Sequence, residues 1–285
     1  MTQDTHRARK RFGQNFLQDQ GLINRLVHLI NPQPEDAVVE IGPGQGALTE
    51  PLLQTLTSLD AVEIDRDLVA LLREKFQGKP LTIHESDALQ YDFNQLIDNQ
   101  PIRVIGNLPY NISTPLIFHL LDYQTAIKDM HFMLQLEVVE RLAAKPGTKA
   151  YGRISVISQY YCDVAQCFLV PPTAFHPQPK VMSAIVKLTP RPFSIRVQND
   201  DLFIRLVKAC FAQRRKTLKN NLKSILTSEQ MQQLDCDLSL RPEALPVEMY
   251  VKLTNTIDAL WGADGLLDSP KKKTIGKKHK KDVQK

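Results

Sequence analysis

The chain has 285 residues, with 42% hydrophobic and 24% charged side chains, which excludes a wholly disordered or fibrous protein and suits one or two globular domains. Of its 36 Lys and Arg, eight lysines lie in residues 271–285 beside one of the 31 acids, so a net charge of +5 covers a slightly acidic body with a basic tail. Such local basicity excludes a uniformly sticky protein and points to directed contact with a polyanion.

In chain order, AVVEI (37–41) is a short apolar run that ends at a glycine loop, as a buried parallel strand does. ALTEPLLQTL (47–56) then spaces its leucines as a helix. LDAVEI (59–64) predicts a second strand, DLVALLREKF (67–76) a second helix and LTIHE (81–85) a third strand. IRVIG (102–106) and DMHFMLQ (129–135) continue the strands, with TPLIFHLLD (114–122) a helix between them. Strands separated by helical stretches indicate βαβ units and a parallel sheet. YCDVAQCFLV (161–170) and MSAIVKLTPR (182–191) predict antiparallel closing strands around the proline-rich PPTAFHPQPK. Four helical stretches follow, 201–215, 217–226, 228–235 and 246–262, the last opening on Pro246 and closing at Gly262. The expected organisation is an α/β domain over 1–195, an all-α domain over 196–262 and a disordered Lys-rich tail over 263–285.

The loop V-V-E-I-G-P-G-Q-G joins strand to helix through Gly42, Gly44 and Gly46, which permit a tight turn and close approach of a ligand. Its G-x-G-x-G spacing lacks the third glycine position of a dinucleotide site, Pro43 removes a backbone donor, and no phosphate-binding lysine follows. Glu63 and Asp87 stand at the ends of the next two strands, where open α/β sheets bind ligands. Glu63 is suited to ribose hydroxyls, and Asp87, with Ala88 beside it, to an adenine amino group. Glycine loop and carboxylates together describe a ligand with ribose and adenine but no phosphates, which is S-adenosylmethionine.

The fourth strand ends in G-N-L-P-Y-N-I (106–112). Here Asn107 offers an amide oxygen, Leu108 a carbonyl, Pro109 a residue without N–H, and Tyr110 an aromatic face. An adenine amino group is a poor nucleophile because its lone pair is delocalised into the ring. Acceptors on its hydrogens draw the nitrogen towards tetrahedral geometry, and stacking holds the base.

The segments R-F-G-Q-N-F-L (11–17), E-I-G-P-G-Q-G (40–46), V-E-I-D (62–65), S-D-A-L (86–89), N-L-P-Y (107–110), F-H-P-Q-P-K-V (175–181) and R-R-K-T-L-K-N-N-L (214–222) resemble the KsgA-type ribosomal RNA adenine dimethyltransferases across roughly residues 7–262. The resemblance implies a Rossmann-like methyltransferase domain with a mostly parallel seven-stranded sheet, followed by a small helical RNA-binding domain. It implies transfer of two methyls to N6 of each of two adjacent adenosines near the 3′ end of 16S rRNA, in the 3′-terminal hairpin of an assembling 30S particle, by a monomer. By the same resemblance Asn15, Leu17, Gly42, Gly44, Glu63, Asp87, Ala88 and Asn107 line the cofactor site, and Leu108, Pro109, Tyr110 and Phe175 form the adenine pocket. Phe175, fixed between prolines, would sandwich a flipped base against Tyr110. Leu136 departs from the lysine that many relatives carry there.

Arg7, Arg9, Lys10 and Arg11 form one basic cluster, and Arg214, Arg215, Lys216 and Lys219 a second inside an acid-free stretch from Arg205 to Lys223. Both are expected to neutralise RNA phosphates. The four cysteines form no CxxC pair and the histidines lack ligand spacing, so no metal is expected. No apolar segment follows the basic N-terminus and no run reaches the roughly 18 residues of a membrane span, which predicts a cytoplasmic protein. Two other readings stay open: a macrolide-resistance-type dimethylase of large-subunit rRNA, and a non-catalytic ribosome-assembly factor.

Overall fold

Residues 15–97, 100–192 and 194–267 are described by the structure, a computed structural model. The basic cluster Arg7–Arg11 and the lysines of the tail lie outside the described residues. The chain forms two units, one ending at Arg196 and the other beginning at Val197.

The first unit runs β1 (Phe16–Leu17), α1 (Gln20–Ile30), β2 (Val38–Ile41), α2 (Thr49–Leu52), β3 (Leu59–Glu63), α3 (Arg66–Lys75), β4 (Leu81–Glu85), β5 (Ile102–Asn107), α4 (Ser113–Leu121), β6 (Ile127–Gln135), α5 (Leu136–Leu142), α6 (Arg153–Tyr161), β7 (Cys162–Val170), β8 (Phe175–His176) and β9 (Ser183–Pro190). Seven of these strands make one sheet in the order β4-β3-β2-β5-β6-β9-β7. The first five are parallel to their neighbours, and β9 and β7 join antiparallel. This is the mostly parallel, Rossmann-like sheet that the sequence predicts.

β2 lies inside the sheet, between β3 and β5, with all four residues buried, as a strand covered on both faces requires. Strand order reverses between β2 and β5, the point at which such sheets open a ligand crevice beyond their C-terminal ends. Register brings those ends level: Ile41 lies beside Val62, and Glu63 beside Glu85. At the opposite ends of the strands, the buried Arg103 guanidinium takes both oxygens of Asp129 at 2.9 Å, Asp36 Oδ2 at 2.7 Å and the Ile30 carbonyl at 2.7 Å. That network joins β5, β6, the approach to β2 and the end of α1.

Helices α1 and α6 and the short strands β1 and β8 go beyond the sequence reading. Helix α1 is capped by Asp19, whose Oδ1 accepts the Leu22 N–H at 3.0 Å, and it buries Ile23, Leu26 and Ile30 on one stripe. Helices α5 and α6 are short and pack together. β1 and β8 pair only with each other, antiparallel, a long-range contact that periodicity cannot announce. The helix predicted over 47–56 is regular only at Thr49–Leu52: Pro51 has no N–H for the Ala47 carbonyl, and past Leu52 the Gln54 and Thr55 N–H groups turn to the i−3 carbonyls of Pro51 and Leu52.

The second unit contains α7 (Asp200–Cys210), α8 (Leu218–Leu222), α9 (Ser228–Gln232) and α10 (Val247–Trp261) around a core that includes Phe203, Leu206, Leu222 and Tyr250. The helix predicted over 201–215 stops at Cys210. Asn221, 3% exposed, accepts the Gln213 N–H at 2.9 Å and donates to the carbonyls of Gln213, Lys216 and Thr217, stabilising a turn where the helix would have continued. Residues 263–267, expected to belong to the tail, are among those described. Leu266 is buried and adds to the helical core, and the Leu267 N–H donates to the Ile225 carbonyl at 3.0 Å while its side chain stays exposed.

Candidate active site

Every sequence-predicted site residue of the first unit from Asn15 to Tyr110 lines one cavity at the C-terminal edge of the sheet. Its floor is the glycine loop. Gly42, Gly44 and Gly46 all have positive φ, and a side chain on Gly44 would come within 3.1 Å of the Phe16 ring. Glycine is required there on both counts.

Glu63 closes the next wall. Its Oε1 accepts the N–H groups of Ile64 and Asp65 at 2.9 Å, and its Oε2 is only loosely held by the Gly44 N–H at 3.4 Å. Burial raises its pKa. Glu63 lines the cavity, and a carboxylate at that wall fits the vicinal hydroxyls of a ribose. Asp87 Oδ1 accepts the Leu89 N–H at 3.0 Å and so shapes the turn that carries Ala88. Glu40, missed by the sequence reading, also lines the cavity. It is 2% exposed, its Oε2 accepts from the Thr49 hydroxyl at 2.6 Å, and burial pushes its pKa up to about 7. An acidic, apolar-walled cavity of this kind suits a cationic nucleoside ligand such as S-adenosylmethionine.

The Asn107–Tyr110 segment forms the rim. Asn107 donates its side-chain N–H to the Asn15 carbonyl at 2.9 Å, which orients the amide. The Pro109 carbonyl accepts from Ile112, and the Tyr110 carbonyl from the Ser113 hydroxyl. Neither Asn107 Oδ1 nor the Leu108 carbonyl accepts a hydrogen bond among the described residues. Two acceptors without donors therefore sit side by side at the mouth, the arrangement an exocyclic amino group needs. Tyr110 is held by its hydroxyl to Ser183 Oγ at 2.8 Å, and burial raises its pKa.

The family model of ribosomal RNA adenine dimethylases matches residues 5–258. The chain belongs to the ribosomal RNA adenine dimethylase family. The "Ribosomal RNA small subunit methyltransferase A" of Saccharophagus degradans is 55% identical over 257 residues, covering 88% of this chain and 95% of its own. The protein of that name from Chromohalobacter salexigens is 55% identical over 259 residues, covering 88% and 92%. Among solved structures, a dimethyladenosine transferase from Plasmodium falciparum superposes with a TM-score of 0.72 at 25% identity, over 86% of this chain and 98% of that one. The 23S rRNA methyltransferase ErmE shares the fold, with a TM-score of 0.66 at 23% identity over 86% and 100%.

In this dimethylase Phe175 is the predicted pocket residue that the cavity does not include. It is 3% exposed and packs in the core with Leu17, Val170, Ala174 and Ile185. Phe175 stands opposite Leu17 across β1 and β8 and shares its core-facing side of the pair; Leu17 also reaches the cavity, and Phe175 does not. The ring that reaches the cavity is Phe16, one residue away and on the other face. The alternation of Phe16 with Leu17 was a usable signal only once β1 was known to be a strand.

In the second unit Arg214, Arg215, Lys216 and Lys219 are all exposed, the first three on the turn organised by Asn221. Among the described residues, no cluster of three or more His, Cys, Asp or Glu is placed to hold a metal, and no helix is long and apolar enough to cross a membrane.

Proposed function

We propose that this dimethylase transfers methyl groups from S-adenosylmethionine to N6 of two adjacent adenosines in the 3′-terminal hairpin of small-subunit rRNA, acting as a cytoplasmic monomer on an assembling particle. The observation that carries the reading is the pair of unengaged acceptors, Asn107 Oδ1 and the Leu108 carbonyl, on the rim of a cavity that also holds Gly42, Glu63 and Asp87. The cofactor supplies an electrophilic methyl group when bound. Glu63 accepts its ribose hydroxyls, and Asp87 with the Ala88 backbone addresses its adenine.

For the substrate adenine, the two acceptors take its amino hydrogens and localise the nitrogen lone pair, while Tyr110 stacks on the ring. No base is needed before transfer, because the proton is acidic once the nitrogen carries its new bond. Extrusion of the base from an RNA loop fits recognition by shape and stacking. Arg7, Arg9, Lys10 and Arg11, with Arg214, Arg215, Lys216 and Lys219, neutralise RNA phosphates.

The test is incubation of the purified protein and labelled cofactor with under-methylated small and large subunits, followed by mass spectrometry of the rRNA fragments. Two dimethyladenosines in the 3′ fragment of the small-subunit rRNA are expected. Label confined to large-subunit rRNA would favour the macrolide-resistance reading, and no label with no cofactor binding would favour the assembly factor.

A further inference from the structure

A hydrogen-bonded chain of three side chains lies behind the cofactor cavity and contributes no atom to its lining. His84, on edge strand β4, donates its Nε2–H to Asp60 Oδ1 of β3 at 2.7 Å. The carboxylate thereby leaves Nδ1 as the acceptor, and the Tyr91 hydroxyl donates to it at 3.1 Å. Tyr91 is 7% exposed, so its hydroxyl needs this partner. The tyrosine is held elsewhere too: its ring packs edge-on against Phe93 at 5.2 Å, and its carbonyl accepts Nε2–H of His119, on α4, at 2.9 Å.

Between His84 and Tyr91 the chain makes one short excursion, and that excursion is the cavity wall. Ser86, Asp87, Ala88 and Leu89 all line the cavity. Its first residue is anchored by Ser86 N–H to the Glu63 carbonyl at 3.0 Å, and its end by Gln90 N–H to the Asp87 carbonyl at 2.9 Å. The His84–Tyr91 bond closes the base of this loop as a side-chain clasp. His119 ties the same tyrosine to the helix that follows the Asn107–Ile112 rim.

We propose that Asp60, His84 and Tyr91 act together as positioning residues that fix the Ser86–Leu89 turn and thereby set affinity for the adenine end of the cofactor. The proposal rests on the assignment of Asp87 and Ala88 to that adenine. Tyr91→Phe keeps the ring, its contact with Phe93 and the carbonyl that serves His119, and removes only the clasp.

The dissociation constant of S-adenosylhomocysteine, measured by calorimetry on the full-length chain, should rise about 3- to 10-fold in Tyr91→Phe, the range of one lost hydrogen bond. The KM for S-adenosylmethionine should rise in parallel, with kcat and RNA affinity unchanged. In a His84→Ala background the same tyrosine substitution should add little, because the chain acts as one unit. Tyr250→Phe is the control: it deletes a comparable buried bond, to the Pro242 carbonyl at 2.6 Å in the second unit, and should leave cofactor affinity unmoved. Unchanged affinity in Tyr91→Phe alongside weakened binding in Asp87→Ala would overturn the relay and spare the adenine assignment. Unchanged affinity in Asp87→Ala would overturn the assignment itself, and an equal loss in Tyr250→Phe would reduce the effect to general destabilisation.

Discussion

Asn107 donates its side-chain N–H to the main-chain oxygen of Asn15 across 92 residues of sequence, at 2.9 Å. The bond settles which end of the amide is available: the nitrogen is engaged and the oxygen is left for a donor from outside. It also makes the geometry of the rim depend on the segment that enters β1. A single hydrogen bond thus couples the N-terminal approach to the point where chemistry is proposed.

Removing that oxygen should abolish amine activation without disturbing RNA binding. Asn107→Ala is expected to lower single-turnover methyl transfer by about 100-fold or more, the effect of losing one preorganised polar contact to a reacting group. Asn107→Asp keeps two oxygens but sets one against the Asn15 carbonyl, so it too should be strongly impaired. Filter binding of RNA should be unchanged in both, and near-normal turnover in Asn107→Ala would sink the mechanism.

Glu40 gives a pH dependence of known sign. Burial holds its carboxyl protonated to about pH 7, against an ordinary value of 4.5. Between those values the folded state binds more protons than the unfolded one, so stability falls as pH rises through that window and stays lower above it. Glu40→Gln keeps an acceptor for Thr49 and cannot ionise. In urea titrations of the cofactor-free protein it should match the parent near pH 4.5 and exceed it by about 2–3 kcal/mol at pH 8. A margin independent of pH would contradict this.

His131 behaves in the opposite sense. It is 1% exposed, neither ring nitrogen has a hydrogen-bond partner among the described residues, and burial lowers its pKa to about 4 from 6.5. Stability is full above the unfolded value and is lost as pH falls from 6.5 towards 4. His131→Met should flatten that acid limb in a thermal-melt series, while the alkaline side stays as it was.

The Arg103 network should govern stability and leave the site alone. Asp129→Ala removes the two-oxygen partner of a guanidinium that is 5% exposed and leaves it Asp36 as an anion, which should reduce unfolding free energy by about 2–4 kcal/mol. Cofactor affinity of the folded fraction should be retained, because the network occupies the other ends of the strands. Urea unfolding and calorimetry on one preparation separate the two.

Replacement of Arg214, Arg215 and Lys216 by alanine should weaken RNA binding uniformly across sequences. The slope of log affinity against log salt should become shallower by about 2, since each phosphate contact contributes roughly 0.7–0.9. An unchanged slope would assign these exposed charges to solvent alone.

The parallel strands around β2 were legible because their signal is local: an unbroken apolar run ending in Gly, Glu or Asn states both burial and the end at which a ligand sits. Glu63, Asp87 and Asn107 were readable for the same reason, as polar residues placed directly after such runs. Helix α1 had a comparable local signal in its Asp19 cap and leucine-isoleucine stripe. Glu40 was hidden inside a strand, where a carboxylate is legible as buried only once the strands on either side are known.

Phe175 marks the limit. Residue type, flanking prolines and family resemblance all pointed to a presented ring, and pairing of two dipeptide strands turned it into the core and brought Phe16 to the cavity instead. By itself the sequence determined the sheet, the family and the residues gathered at its C-terminal edge, since these follow from local apolar runs and the residues that end them. Which ring faces the ligand, which amide oxygen is free, and that Tyr91 clasps the turn before it were decided by tertiary structure alone, because each depends on a contact between residues whose chain neighbours carry no trace of it.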